Sequence, residues 1–284
     1  MFMHRYWRHV AAMAVTLALF AAASDVRLHE AEYSTQRGDR YAVALPDSSA
    51  VVLNTDSAIL LDFTDNTRTV YLNYGEALFR INPHDHRPFL LHRGDITLTT
   101  PDAVFSVRSL TENAILLNVL SGSMFLRQTL FDLFHPFELE ATLIPKRSYT
   151  LNHGHLDIVL FSQASADCLW AWERGELCLV NQPLQAAVEE VNRYTQRRLI
   201  IADPSLNTLR VGGRFYISAL LPGFPDALEK SFGIRTVTED NTVVLLPPCD
   251  PARPAAFCKD KPAHNLRVPE RQARPAISIG GTAQ

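Results

Sequence analysis

The amino-acid sequence predicts a mainly β protein, in which an antiparallel β-sandwich or roll is followed by a small α+β module and preceded by one N-terminal apolar helix. Three observations support this fold class. Residues 41–151 contain short runs of alternating apolar residues, residues 177–246 mix such runs with helical periodicity, and residues 10–23 carry no charge. The 284 residues are 47% hydrophobic and 20% charged, which is typical of a folded protein with substantial cores.

The N-terminal apolar segment predicts export from the cytoplasm. Arg5 and Arg8 precede it, and acidic residues follow it. Because positively charged flanks stay in the cytoplasm, we expect residues 1–9 to form a short cytoplasmic basic end and the rest of the chain to cross the inner membrane. Residues 10–24 are either a membrane anchor or a signal peptide. They fall short of the roughly 20 apolar residues of a membrane helix, and Ala21–Ala23 offers the small residues that a signal peptidase requires.

Alternating apolar residues predict the β domain, over residues 38–151. Period-two alternation places one side chain in a core and the next in solvent, as in a half-buried strand. Turn-forming residues such as Pro46–Ser49 and Ser121–Gly122 separate the runs. Many short strands at this spacing, without a helix among them, are typical of an antiparallel sandwich or roll. The apolar positions of the runs are Tyr41, Val43, Leu45, Ile59, Leu61, Phe63, Ala77, Phe79, Ile81, Ile96, Leu98, Phe105, Val107, Ile115, Leu117, Val119, Met124, Leu126, Phe137, Leu139 and Ala141.

Residues 172–247 predict a small α+β module with the element order β-α-β-β-α-β-β. A strand at 177–180 precedes a helix that begins near Pro183, and the apolar stripe of this helix indicates one buried face. A second helix over 226–232 ends at Gly233, since glycine accepts the left-handed conformation at a helix end. The stripe consists of Leu184, Val188, Val191 and Tyr194, and the last two strands, at 234–237 and 243–246, form a hairpin.

The C-terminal residues and the cysteines add two expectations. Residues 248–284 are proline-rich, with six Lys/Arg against three Asp/Glu, and predict a disordered basic tail. The four cysteines lie in two local pairs, which in an oxidising compartment could close as Cys168–Cys178 and Cys249–Cys258. The alternative for the first pair is two small buried apolar side chains.

No sequence motif indicates catalysis, a cofactor or a metal ion. The nucleophile elbow, the phosphate-binding glycine loop, the His-Glu-x-x-His motif and the dinucleotide fingerprint are all absent. His84–His86 and the pair His153 and His155 have the residue types of metal ligands, but they lie beside turn residues, where histidine is commonly just exposed. A formal net charge of −3 gives no indication of nucleic-acid binding, which usually requires a basic excess. We therefore expect a binding or signalling protein and not an enzyme.

A set of fragments, in order along the chain, resembles FecR-type periplasmic regulators, which are transmembrane sensors of an anti-sigma family. The resemblance extends from about Gly38 to Leu246. It implies that Gly75 and Glu76 turn a hairpin and that Trp172 is a core anchor between the two domains. The fragments are Gly38–Asp47, Val51–Ser57, Arg68–Leu72, Gly75–Phe79, Arg87–Phe89, Trp172–Leu177, Pro183–Leu184 and Glu190–Tyr194.

This resemblance implies a transducer that relays the state of an outer-membrane TonB-dependent receptor to an extracytoplasmic-function sigma factor. The partners are the N-terminal signalling domain of that receptor, the inner membrane and, through a missing or separate cytoplasmic domain, the sigma factor. The α+β module is similar to the secretin/TonB short N-terminal domain and is therefore expected to face the receptor. The family's single membrane helix corresponds to residues 10–24, which favours an anchor over a cleaved signal and places the bulk of the chain in the periplasm.

Two departures from the family pattern affect these expectations. Family members begin with a cytoplasmic helical domain that holds the sigma factor, whereas this sequence has nine residues before the apolar segment. Asp102–Val107 stands in place of the usual Gly-Thr-x-Phe-x-Val turn, and Ser48 replaces a turn glycine. We expect the fold to tolerate both local changes, with less favourable turns.

The candidate partner-binding residues are polar positions on the first helix of the module and on the strand that follows it. The alternative for each is an ordinary solvated surface residue. A second functional hypothesis is a non-catalytic envelope protein whose β domain binds glycan or another periplasmic scaffold. The candidate residues are Glu189, Asn192, Arg193, Gln196, Arg197, Arg210 and Arg214.

Overall fold

The computed structural model describes residues 30–131, 136–161 and 163–248. A β domain comes first and is built from fourteen strands in two sheets of seven. Its strands are β1 Glu30–Thr35, β2 Tyr41–Ala44, β3 Ala50–Leu53, β4 Ser57–Phe63, β5 Arg68–Tyr74, β6 Glu76–Arg80, β7 Phe89–Arg93, β8 Ile96–Thr100, β9 Ala103–Thr111, β10 Ala114–Gly122, β11 Met124–Phe131, β12 Pro136–Leu143, β13 Arg147–Asn152 and β14 His155–Leu160.

The two sheets pack face to face as a sandwich. The first sheet has the order β1-β4-β5-β7-β8-β11-β12, and the second has the order β14-β13-β10-β9-β6-β3-β2. Neighbouring strands are antiparallel except for β5 and β7, which are parallel. The inward side chains of both sheets form one core, in which Phe79 stacks on Phe105 and contacts Phe89. The predicted mainly β fold with an antiparallel sandwich is confirmed, and its sheets extend from residue 30 to residue 160, beyond the predicted bounds of 38–151.

The prediction that Gly75 and Glu76 turn a hairpin is wrong. β5 pairs with β4 in the first sheet, whereas β6 pairs with β3 and β9 in the second. Gly75 therefore carries the chain from one sheet to the other, with a φ of +84° that favours glycine. A side chain at this position would collide with Ser57. Alternation predicted β6 but not β5, and it does not tell which sheet a strand joins.

A fully buried ion pair lies at one end of the sandwich. The Arg68 guanidinium donates to the Asp47 carboxylate at 2.9 Å, and neither side chain has any solvent exposure. Arg68 also donates to the backbone carbonyls of Arg87 and Asn82, while Asp47 accepts from both the amide and the hydroxyl of Ser49. Buried charges require such complete pairing, because an unpaired one is costly. The pair fixes the turn before β3 against the start of β5.

The turn that carries Asp47 contains a serine where the family pattern has glycine. Ser48 adopts a φ of +67°, in the left-handed region that glycine tolerates best. The conformation is retained because the Leu45 amide donates to the Ser49 carbonyl and the Ser48 amide donates to the Leu45 carbonyl. The buried Asp47 side chain also accepts from the Ser49 amide inside the turn. The turn therefore survives the substitution, as expected.

The α+β module follows a short connecting helix. Its elements occur in the predicted order β-α-β-β-α-β-β, and the predicted hairpin is formed by its last two strands. β15 pairs with β17, and β19 lies between β16 and β18 as the parallel neighbour of β16. The elements are α1 Gln163–Leu169, β15 Glu176–Pro183, α2 Leu184–Tyr194, β16 Arg198–Ile201, β17 Arg210–Tyr216, α3 Leu220–Phe232, β18 Arg235–Glu239 and β19 Thr242–Leu246.

The two helices of the module follow from their sequence patterns. In α2 the predicted stripe is buried, and Ala187 is buried with it. The second helix is longer than the predicted 226–232, since it begins at Leu220 and contains a kink at Leu221. It ends at Gly233, whose φ of +68° gives the expected left-handed cap. Period counting missed its first turns because Pro222 and Pro225 are unusual inside a helix.

One predicted disulfide is present. Cys168 on α1 and Cys178 on β15 are bonded, with their Cα atoms 5.1 Å apart. The bond therefore attaches the connecting helix to the first strand of the module. The alternative of two free apolar side chains does not hold for this pair.

Several predictions concern residues outside the described ranges. These are the short basic end at 1–9, the apolar segment at 10–24, the tail from Cys249 onward and the Cys249–Cys258 pair. Among the residues that the structure does describe, no helix has the length and apolarity needed to cross a membrane.

We predict that Arg68→Met lowers the free energy of unfolding by about 3–5 kcal/mol, because it leaves the Asp47 carboxylate buried without its counter-charge. The double variant with Asp47→Asn removes that stranded charge and should recover part of the loss. Chemical denaturation measures both. Arg127→Met is the matched control, since Arg127 forms an exposed pair with Glu140 and should cost less than about 1 kcal/mol. An Arg68→Met cost as small as that of the control would contradict the assignment.

Candidate functional site at the domain junction

Apolar packing joins the two domains. Leu78 points from the outer face of β6 into the core of the module, where it is 1% exposed. Trp170 and Trp172 lie in the same cluster, and Val52 and Val104 pack against it from the β domain. Neither indole N–H has an acceptor within the described ranges, so both tryptophans contribute mainly apolar contact. Trp172 is therefore the interdomain core anchor that the sequence predicted.

Two arginines of the β domain hold the turn that precedes the module. Arg40 donates to the backbone carbonyls of Trp172 and Glu173, at 2.8 and 2.6 Å. Arg80 forms an ion pair with the Glu173 carboxylate at 2.6 Å. The turn ends at Gly175, which has a φ of +86° and lies against the Arg40 guanidinium. The two arginines thus bind both the backbone and a side chain of this turn. They fix the point at which the chain passes from the turn into the module.

The C-terminal end of α2 is tied to the β domain by hydrogen bonds. The Asn54 amide donates to the Tyr194 hydroxyl at 2.8 Å, and the Thr55 hydroxyl donates to the Arg193 carbonyl at 3.0 Å. Just beyond the helix, the Gln196 amide donates to the Arg37 carbonyl at 3.2 Å. Carbonyls at a helix C-terminus lack partners within the helix, so the β domain supplies a donor where the helix has an unpaired acceptor.

A cluster of four charged side chains crosses the junction. Arg193 on α2 contacts Glu76 of β6 at 2.6 Å and Glu190 of its own helix at 2.6 Å. Glu190 in turn contacts Arg108 of β9 at 2.8 Å. Each domain therefore provides one cation and one anion, and the charges alternate along the chain of contacts. We call Glu76, Arg193, Glu190 and Arg108 the junction cluster.

The junction cluster is largely shielded from solvent, with side-chain exposures of 10% for Glu76 and 18% for Arg193. Burial opposes the charge on Arg193, but Glu76 and Glu190 outweigh it and raise the Arg193 pKa. Burial likewise opposes ionisation of Glu190, yet Arg193 and Arg108 hold its pKa below the ordinary value. Burial and the nearby Glu76 raise the pKa of Tyr194, so its hydroxyl stays neutral. Glu190 and Arg193 therefore remain charged near neutral pH.

A polar cleft of about 360 Å³ opens beside the junction cluster. Both domains contribute to its walls, so its shape depends on how α2 sits against the β domain. Among its lining residues are Arg37, Asp56 and Arg108 from the β domain and Glu189, Asn192 and Arg193 from α2.

The structure separates the candidate partner-binding residues into inward and outward groups. Arg193 belongs to the junction cluster, and the Asn192 side chain exchanges hydrogen bonds with the backbone of Leu199, which ties α2 to β16. Both already have partners within the chain. The others are exposed; they are Glu189, Gln196, Arg197, Arg210 and Arg214. Of these, Gln196 also donates to the Arg37 carbonyl of the β domain, so a partner that takes its amide would replace one hydrogen bond between the domains.

The exposed candidates do not form one patch. Glu189, Gln196 and Arg197 lie on α2 or just after it. Arg210 and Arg214 lie on β17, opposite Pro183 and Cys178 of β15, and Arg214 pairs with Glu176 at 3.1 Å. Their role in binding a partner remains a prediction.

Sequence reasoning missed the β-domain half of this site. Glu76 was assigned only to a hairpin turn in a family-like fragment, Asn54 was noted only as part of such a fragment, and Arg108 was not noted. One local signal could have indicated these residues. Glu76 and Asn54 are polar residues at strand ends, and the core of the sandwich does not explain their polarity. Glu76 is 117 residues from its partner Arg193 along the sequence, and Asn54 is 140 residues from Tyr194. Local periodicity cannot reveal contacts between residues so far apart in the sequence.

Comparison with known proteins gives a consistent result. Residues 31–124 match the family model described as FecR protein. Two crystal structures of a proposed anti-sigma factor from Parabacteroides distasonis ATCC 8503, at 2.50 and 1.65 Å resolution, are similar in fold. Both are 21% identical in sequence, with TM-scores of 0.60 and 0.61, and the matches cover 78% and 77% of this chain and 100% of theirs. No curated protein matches the sequence.

The fold and the junction thus define a two-domain protein in which a β-sandwich and an α+β module are joined by a shared core and a shared charge cluster. The sandwich contains a FecR domain at residues 31–124, and the predicted resemblance to FecR-type regulators is confirmed. Glu76, Arg108, Arg40, Arg80 and Asn54 all lie within that match.

We predict that Arg193→Met lowers the free energy of unfolding by about 2–3 kcal/mol, since it leaves the Glu76 carboxylate without a cation and Glu190 with Arg108 alone. A double-mutant cycle with Glu76→Gln should give a coupling energy of about 1 kcal/mol or more, because the two side chains touch. Arg214→Met removes an exposed pair inside the module and serves as the control, with a cost below about 1 kcal/mol. Additive effects of the two changes would argue against a direct interaction across the junction.

The junction cluster also predicts a pH dependence. The folded-state pKa of Glu190 lies below the ordinary value of 4.5. Its contribution to stability is therefore fully present above that value and is lost as the pH falls through the lower, folded-state pKa. The difference in unfolding free energy between the wild type and Glu190→Gln should be constant at neutral pH and shrink in acid. A difference that stays the same at about pH 3 would contradict the depressed pKa.

Proposed function

We propose that this chain is a FecR-type signal transducer of the bacterial envelope, which relays the state of an outer-membrane TonB-dependent receptor to an extracytoplasmic-function sigma factor. The observation that carries the proposal is the FecR domain at 31–124 and its attachment, through the junction cluster, to an α+β module with an exposed helix face. The similar crystal structures come from a proposed anti-sigma factor, which supports the same class of function. On this proposal the chain acts by binding and carries out no reaction.

The receptor's N-terminal signalling domain would bind the outer face of α2. Glu189 on α2 is exposed, as are Gln196 and Arg197 just after the end of the helix. The neighbouring positions Glu190 and Arg193 belong to the junction cluster on the same helix. A helix moves largely as one body, so a partner that shifts its outer face also shifts the cluster on its inner face. The helix is therefore the element through which receptor binding could change the arrangement of the two domains.

The proposed location is the inner membrane, with a single pass at residues 10–24 and the bulk of the chain in the periplasm, or the periplasm alone if that segment is cleaved. The Cys168–Cys178 disulfide supports an oxidising compartment, because such bonds persist there and are rare in the cytoplasm. The sigma factor would then be reached through a separate cytoplasmic domain.

The test is binding of the detergent-solubilised full chain to the purified signalling domain of a co-encoded receptor. We predict a dissociation constant of tens of micromolar or tighter. The double charge reversal Glu189→Lys/Arg197→Glu should weaken binding about tenfold or more, while Arg127→Glu, a charge reversal at an exposed position of β11, should leave it unchanged. Absence of binding at about 100 μM would rule out the receptor as partner.

A second readout separates this function from a structural role in the envelope. Deletion of the chain should change transcription that depends on the co-encoded sigma factor. Unaltered transcription, together with sedimentation of the chain with isolated cell wall, would instead favour a structural protein that binds glycan or another scaffold.

A further inference from the structure

One edge of the β domain exposes an apolar strand. β14 is the last strand of the second sheet, and its outer side has no neighbour in the described part of the chain. None of its residues is buried. Ile158, Val159 and Leu160 are exposed to 53%, 62% and 72%, and they follow one another without a charge. An exposed apolar edge strand offers unpaired backbone groups to another strand.

The other three edges of the sandwich are protected. β1 carries Glu32 at an exposed position, and β12 carries exposed Glu138 and Glu140. β2 has only four residues. Charge and short length are the usual ways in which edge strands avoid pairing with other chains. The C-terminal half of β14 has neither form of protection, so the apolar edge is specific to this strand.

The apolar surface continues from the edge onto the end of the sandwich. β12 ends the first sheet on the same side, because the turn at 144–146 joins β12 directly to β13, the neighbour of β14. Phe137 on β12 is 54% exposed and Ile144 in the turn is 39% exposed. An apolar patch bordered by an open strand edge is a typical protein-binding surface.

We propose that a second copy of this chain covers the edge, by antiparallel pairing of β14 with the partner's β14 about a two-fold axis at Ile158. A two-fold axis perpendicular to the sheet keeps each side chain on its own face, so only residues of the same face can lie opposite each other. With the axis at Ile158, this residue faces the partner's Ile158. Leu156 then faces the partner's Leu160, and the second sheets of the two copies join into one continuous sheet.

The charges of the strand exclude an axis at the neighbouring Asp157 and are compatible with one at Ile158. At the Ile158 axis, Asp157 faces the partner's Val159, so no like charges are opposed. Moving the axis to Asp157 would place the two carboxylates opposite each other, which is destabilising. The inner face also fits a second copy, because Leu156 and Ile158 already lie beside Leu151 and Tyr149 of β13, and an identical strand extends that apolar surface. The strand is thus complementary to itself.

Sedimentation equilibrium of the detergent-solubilised full chain tests the proposal. Because a pair of six-residue strands makes a small interface, we expect a dissociation constant of roughly 1–100 μM, with a dimer of twice the 31.8 kDa chain. Ile158→Lys should weaken the dimer at least about thirtyfold. Val180→Lys, at an apolar residue 58% exposed on β15, is the matched control and should leave the dimer unchanged. Circular dichroism establishes that each variant is folded.

Cross-linking tests the register. In a background with Cys249 and Cys258 changed to serine, Ile158→Cys should form a disulfide-linked dimer, since opposed residues of paired strands lie within disulfide reach. Val180→Cys should not. A chain that is monomeric at about 500 μM overturns the proposal, and so does a dimer that Ile158→Lys leaves intact, since such a dimer uses another surface or another partner strand.

Discussion

The relation between the two domains depends on Arg193. Its guanidinium contacts a carboxylate of the β domain and a carboxylate of its own helix, each at 2.6 Å. Glu76 would be an uncompensated charge at the end of β6 without it, and Glu190 would have Arg108 alone. Because removing one member of a buried pair costs more than the pair contributes, the cluster strongly disfavours any arrangement that separates its members while keeping them dry.

The buried pair inside the sandwich has a different role. Arg68 and Asp47 are completely enclosed, so they can separate only if the β domain itself unfolds. Arg193 is 18% exposed and Arg108 29% exposed, so water can replace their partners when the domains move. The two charge sites therefore differ in what they permit. The charges inside the β domain are closed to water, whereas those at the junction are partly open to it.

Much of the fold could be predicted from local pattern. Alternation located eight of the fourteen strands of the β domain, because each of these has one face in a core. It missed β1, β3, β5, β7, β13 and β14. The stripe of α2 appears because one face of that helix is buried. Local pattern did not predict which strands pair or which surfaces pack against each other. Gly75 and Glu76 were predicted to turn a hairpin within a family-like fragment, although the strands on either side of them enter different sheets. Arg193 lies off the apolar stripe and was predicted to face solvent, because a helix pattern does not reveal that a second domain covers part of its polar side.

The family match covers only part of the sandwich. The surface that contacts the module lies inside the match, and the apolar edge lies outside it. The match covers residues 31–124, and the residues beyond it to 160 add β12, β13, β14 and all but the first residue of β11. The docking residues for the module, such as Arg40, Glu76 and Arg108, all lie in the matched part, on β6, β9 and the loop before β2. The apolar edge lies in the added part, on the opposite side of the second sheet from β2. A dimer formed through β14 would therefore leave the junction and the outer face of α2 open, so that each copy could still bind its own partner.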